Sequence, residues 1–222
     1  MAYFEKEFLH FFASLEENNN KIWFDEHRNT YEKYVKEPFK VLVGDLISRI
    51  SVLDSSIKLE PKDCIFRINR DVRFSKDKIP YKTNVSASIA PGGKKDMVTP
   101  GVYIELSARD LRFYSGVYMP DKNQLLRIRT SINNNLEEFQ SIIKNPTFVK
   151  TFGKLHGDAN KIIPKEFKEC FEKEPLIANK QFYFFKKHAP ETVLNEHLVD
   201  LFMQDYEVAK PLMVFLKDAL EE

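Results

Sequence analysis

The stretch Val102–Val117, VYIELSARDLRFYSGV, decides the fold. Val102, Ile104 and Leu106 alternate with Tyr103, Glu105 and Ser107, so one face is apolar and the other polar. Ala108-Arg109-Asp110 then turns the chain, and Phe113, Ser115 and Val117 resume the period of two. Two alternating runs joined by so short a turn pair antiparallel. Upstream, Val85, Ala87 and Ile89 alternate in the same way and run into the turn-forming Pro91-Gly92-Gly93. The three runs predict an antiparallel meander.

Helical patterns lie on both sides. Phe4, Phe8, Leu9, Phe11, Phe12 and Leu15 recur with helical spacing, and Asn18-Asn19-Asn20 stops that helix. A second helix is expected from near Asp25, with Tyr31, Tyr34, Val35, Phe39, Leu42, Leu46, Ile47 and Ile50 on its apolar face and a break or kink at Pro38. Cys64 to Asn69 reads as a strand that ends or bulges before Arg70, because further alternation would drive Arg70 into the apolar face. After Pro120, the residues Leu125, Leu126, Ile128, Ile132, Leu136, Phe139, Ile142 and Ile143 predict one helix, ended by Pro146. Thr151 to Pro164 reads as a loop, Gln181 to Phe185 as a further strand, and Glu191 to Leu220 as an amphipathic helix pair with Pro211 starting or kinking its second half. The expectation is one α+β domain over residues 1–222, a central, mainly antiparallel sheet flanked by N- and C-terminal helices.

Composition sets the functional bounds. In 222 residues, 43% are hydrophobic and 30% charged, which is enough apolar material for a real core. The 19 phenylalanines predict that this core is aromatic. A net charge of +1 argues against a protein that coats DNA or an acidic membrane with its whole surface. The acids within MAYFEKEFLHFF argue against a signal peptide or membrane anchor, and no apolar run approaches the length of a membrane helix. Cys64 and Cys170 form no CxxC pair and fit buried thiols in a reducing compartment, so the expected location is cytoplasmic.

Charge concentrates in RINRDVRFSKDKIPYK, residues 67–82. Arg67, Arg70, Arg73, Lys76, Lys78 and Lys82 face only Asp71 and Asp77. Arginine binds carboxylate or phosphate through its planar fork. If Arg67, Arg70 and Arg73 converge, they hold one anion, with Lys78 and Lys82 as point charges. Asp71 and Asp77 would then orient the guanidinium groups or hold a metal, and Tyr81 would donate to a ligand oxygen. The competing reading is structural, with the two aspartates pairing with the arginines to pin a long loop. A nucleic-acid-binding module is the third, with Lys94 and Lys95 extending the basic patch and nearby aromatics stacking bases.

These residues also carry a family resemblance. Arg67, Arg70, Asp71, Arg73, Phe74, Asp77, Lys78 and Tyr81 match the pattern Arg-x-x-Arg-Asp-x-Arg-Phe followed by Asp/Asn-Lys and Tyr. Asn18-Asn19, Trp23-Phe24, His27, Arg28, Tyr31 and Tyr118-Met119-Pro120 extend the likeness. The chain resembles a mostly bacterial family known only as a domain of unknown function (family 2461). Ser115-Gly116 stands where that family often has consecutive glycines. The resemblance implies a fold but supplies no activity, and it leaves cofactors open.

Other signals are weaker. Trp23, His27 and Tyr31 share a helical face, either as an aromatic wall with a proton carrier or as an edge of the core. His156 and Asp158 form an isolated pair with little metal-site character, and His188 and His197 lack a metalloprotease register. Gly92-Gly93-Lys94-Lys95 reads as a hairpin tip in preference to a phosphate cradle. No nucleophile or general base stands out. An enzyme built on the arginine cluster would run phosphoryl or acyl chemistry.

Overall fold

The computed structural model describes residues 2–73 and 75–221, so Phe74 of the charged motif lies outside the described residues. The fold is α+β, with helices flanking a four-stranded antiparallel sheet. The strands are β1 (Asn84–Ile89), β2 (Val102–Ser107), β3 (Leu111–Val117) and β4 (Phe182–His188), hydrogen-bonded in the order β1-β2-β3-β4. The meander was legible in the alternation, and the further strand expected at Gln181 to Phe185 is β4. Among the described residues, no helix is long and apolar enough to cross a membrane.

The chain divides into two compact units. The first comprises Met1–Lys94, Tyr103–Phe113 and Lys187–Met203, and the second Lys95–Val102, Tyr114–Lys186 and Gln204–Glu222.

In the first unit, α1 (Lys6–Glu17) buries Phe8, Phe11, Phe12 and Leu15. Phe8 meets the rings of Phe4 and Phe12 edge to face, the geometry that opposed ring quadrupoles favour. The next helix, α2 (Lys21–Glu26), starts earlier than Asp25. The reason is local: the Asn20 side chain accepts the Trp23 amide and caps the helix there. A short α3 (Arg28–Tyr31) passes through a π-turn, Glu32–Lys36, into α4 (Glu37–Leu53). Pro38 follows the π-turn in a helical run that is unbroken from Arg28, so the wider turn stands where proline cannot donate its hydrogen bond. Phe39, Leu42, Val43, Leu46, Ile47 and Ile50 form the buried face of α4.

The expected strand at Cys64–Asn69 needs correction. Cys64 closes a helical turn, α5 (Pro61–Cys64), because Glu60 and Asp63 form a reciprocal capping box and Pro61 is preset for helix. Beyond it, Ile65 and Asn69 make isolated antiparallel bridges to Ala87 and Tyr81, and no continuous ladder forms among the described residues. Arg70 donates its amide to the Pro80 carbonyl at 2.8 Å, and proline has no N–H to return. Pairing therefore stops where the alternation argument placed its end.

In the second unit, Asp121 and Gln124 form the capping box that starts α6 (Lys122–Asn134). The single helix expected here is two. Asn135 donates both its amide and its side-chain Nδ2 to the Ser131 carbonyl, which closes α6 before α7 (Leu136–Ile143) begins. Pro146 does not end a helix but starts α8 (Pro146–Phe152), with Asn145 as its cap. The loop expected from Thr151 therefore starts after Phe152, and α9 (Lys168–Lys173) follows it. The expected C-terminal helix pair is one helix, α10 (Leu198–Glu221), with Pro211 inside it. Tyr206, Ala209, Leu212 and Leu216 are buried on both sides of Pro211, so packing holds the helix through the lost hydrogen bond.

Candidate ligand site

The β2–β3 hairpin of the first unit forms one wall of the site. Ser107 Oγ accepts the amides of Arg109 and Asp110 at 3.1 Å and donates to the Asp110 carbonyl at 2.9 Å. This knot fixes the reversal, so the basic and acidic side chains around it have set positions. Arg109 is clasped in a fork by Glu16 of α1, with three contacts of 3.0–3.1 Å. Arg112 Nε donates to Asp110 Oδ1 at 2.9 Å, and its Nη1 lies 3.9 Å from Glu105 Oε1. Burial pushes the Glu105 carboxyl above its ordinary range, with Arg112 opposing the shift.

The charged loop forms the other wall. Asn19 grips the backbone of Tyr81, donating to its carbonyl at 3.0 Å and accepting its amide at 3.1 Å. The Tyr81 ring stacks on Phe24 with centroids 4.0 Å apart. Burial, aided by Asp25, raises the Tyr81 hydroxyl. Lys82 is half-buried, with Nζ 5.1 Å from the centre of the Phe66 ring. Among the described residues it makes no ion pair. Burial moves its ammonium below the ordinary lysine value, with Glu105 opposing the shift and Arg67 adding to it.

Between these walls lies a cleft of about 500 Å³ lined by Arg70, Tyr81, Lys82, Arg109 and Arg112, with Glu16, Glu105 and Asp110 as its acids. Its size is that of a small-molecule site.

Arg70 and Tyr81 are the sequence-predicted site residues that reach the cleft, with Lys82 beside them. The three arginines of the motif take separate places instead of meeting on one point. Arg70 pairs with Asp77 at 2.8 Å and also donates to the Ile79 carbonyl at 3.1 Å. Arg73 forms a fork with Asp71 at 2.9 and 2.7 Å. Those bonds hold both aspartates below the usual carboxylate range. Lys78 donates to the Val72 carbonyl at 2.9 Å, tying the loop across itself. Arg67 is exposed, and neither it nor Asp71, Arg73, Asp77 or Lys78 lines the cleft.

His27 stacks on Trp23 at 4.0 Å and its Nδ1 meets the Trp23 carbonyl at 2.8 Å, away from the cleft. Lys94 does not sit at an open hairpin tip. Its Nζ donates to the carbonyls of Lys62 and Ile65, closing the C-terminal end of α5. In the second unit His156 stacks on Tyr183 and Phe185. Among the described residues, no group of three or more His, Cys, Asp or Glu side chains is placed to hold a metal.

Sequence reading missed Glu16, Asn19, Glu105, Arg109 and Arg112. The last three carried a signal, since period-2 alternation puts Glu105 and Arg112 on the polar face of the hairpin and Arg109 in its turn. Glu16 and Asn19 come from a distant segment, and nothing local announces their meeting with the hairpin and Tyr81.

Fold and site together define an α+β protein with a cleft of mixed charge and an excess of basic groups. A family model described as conserved hypothetical protein (DUF2461) matches residues 7–215, and the chain belongs to that family. No curated protein matches its sequence.

Proposed function

We propose that the protein binds a small anionic ligand, phosphorylated or carboxylate, in the cleft beside Tyr81. Arg70 and Lys82 supply the charge from the loop, and Arg109 and Arg112 supply it from the hairpin. One observation carries the reading: Lys82 is a half-buried cation that makes no ion pair among the described residues, on the wall of a cleft of ligand size. An unpaired cation held partly out of water is a standing attraction for an anion. Asp77 orients Arg70 in this account, and Tyr81 lends its hydroxyl to a ligand oxygen.

The remainder of the motif supports a second role. Asp71, Arg73, Lys78 and Asp77 bond within the loop, and this favours a scaffold that presents Arg70 over a set of direct ligand contacts. The buried free thiols Cys64 and Cys170 suit a reducing, cytoplasmic setting.

The test is a thermal-shift screen with phosphate, sugar phosphates, nucleotides, dicarboxylates and a short oligonucleotide. A ligand that binds only the folded state raises the melting temperature by mass action. The reading expects a small anion to raise it for wild type and not for Lys82→Met. A shift by the oligonucleotide alone, falling steeply with salt, would replace this reading with nucleic-acid binding.

A further inference from the structure

We propose that Lys82 is a carbonyl-reactive amine that condenses with a small keto or aldehyde acid held in the cleft. The proposal rests on the anion-binding reading above and names its substrate class. Lys82 is half-buried on the cleft wall, its Nζ lies 5.1 Å from the centre of the Phe66 ring, and it makes no ion pair among the described residues. Burial favours its neutral, nucleophilic form against the opposing Glu105 carboxyl, and Arg67 adds to the effect of burial.

The cleft also supplies a grip for an acid group. Arg70 makes its side-chain bonds to Asp77 and Ile79 from Nη1. Among the described residues, its Nε and Nη2 make none, and that edge of the guanidinium is a fork matched to a carboxylate. A proton carrier is present as well. Glu105 lines the same cleft, and burial favours its protonated form.

The chemistry balances without an oxidant. The Lys82 nitrogen attacks the carbonyl carbon, forming a C–N bond as the C=O π pair moves to oxygen. Glu105 relays a proton from that nitrogen to that oxygen, giving a carbinolamine. Protonation of the hydroxyl by Glu105 breaks the C–O bond and releases water. The nitrogen lone pair then forms C=N, and the Glu105 carboxylate faces the protonated imine. One amine and one carbonyl yield one imine and one water.

The experiment treats the full chain with glyoxylate and cyanoborohydride and maps adducts by peptide mass spectrometry. We expect modification at Lys82 to exceed that at other lysines by roughly tenfold, the advantage of a positioned reactant. Acetaldehyde, which lacks the carboxylate, should lose that preference. Lys82→Arg should abolish the adduct at that position and leave labelling of the other lysines as in wild type. If phosphate still shifts wild type but labelling merely follows lysine exposure, condensation is overturned and the anion site stands. If neither phosphate nor glyoxylate has any effect, both readings fall.

Discussion

Arg70 donates from Nη1 to Asp77 Oδ2 at 2.8 Å and to the Ile79 carbonyl at 3.1 Å, so one end of a cleft-lining guanidinium closes the loop that carries it. The pair is partly exposed, with side chains 31% and 50% accessible. Exposed pairs of this kind contribute little stability because water screens them and both side chains lose freedom. Asp77→Asn should therefore leave the urea midpoint almost unchanged. A large loss of stability would show that the loop is a structural keystone.

The Arg109–Glu16 fork predicts a gain of binding. Glu16 occupies the face of a guanidinium that lines the cleft and so competes with any incoming anion. Glu16→Gln should tighten phosphate binding by roughly two- to fivefold, the change expected from removing one screened negative charge. Calorimetric titration of both proteins checks it, and weaker binding in the variant would contradict it.

Glu105 gives the pH dependence. Burial raises its folded-state proton affinity above the ordinary value of 4.5. Such a carboxyl disfavours the folded state as pH rises from the unfolded value through the folded one, and the cost is complete above both. Glu105→Gln should thus raise the melting temperature at pH 7 and lose that advantage below about pH 4. A variant less stable than wild type at pH 7 would mean that the Arg112 contact outweighs desolvation.

How far the sequence carried this account differs by element. The meander was readable because Val102–Val117 has a strict period of two and buries one face. The helix boundaries at Asn20, Asn135 and Asn145 were less readable, since each depends on a side chain capping or closing a turn, a detail that apolar spacing does not carry. Proline was misread twice, at Pro146 and Pro211. The residue starts helices as readily as it ends them, and burial on both sides of Pro211 overrides the lost bond. In the site, the density of charge at residues 67–82 drew attention to the right loop, but pairing inside that loop consumed most of its charge. Among the described residues of that loop, only Arg70, Ile79, Tyr81 and Lys82 line the cleft.

Gly116 tests the packing of β3 on β4. Its φ is +112°, and an added Cβ would lie 2.1 Å from the Phe182 carbonyl oxygen and 2.8 Å from Tyr183 Cα. Backbone cannot yield as a flexible side chain does, and an L-residue is strained at that φ. Gly116→Ala should cost more than about 3 kcal/mol by urea denaturation, among the larger single-residue effects. Ser115→Gly, at a neighbouring site with no such clash, should cost far less.

Arg129 tests the second unit. It is 6% exposed and donates to the carbonyls of Ile177, Ala178 and Asn179 at 2.9–3.2 Å. Arg129→Met strands those acceptors away from water and should destabilise the protein by roughly 2–3 kcal/mol.

The most direct measurement is calorimetric titration of inorganic phosphate into wild type, Lys82→Met and Lys78→Met. Both substitutions remove one lysine charge from the same motif, but Lys82 faces the cleft and Lys78 bonds the Val72 carbonyl. The account predicts that Lys82→Met weakens binding by about tenfold or more, roughly 1.4 kcal/mol, while Lys78→Met changes it little. Equal losses in the two variants, or binding that survives in Lys82→Met, would contradict it.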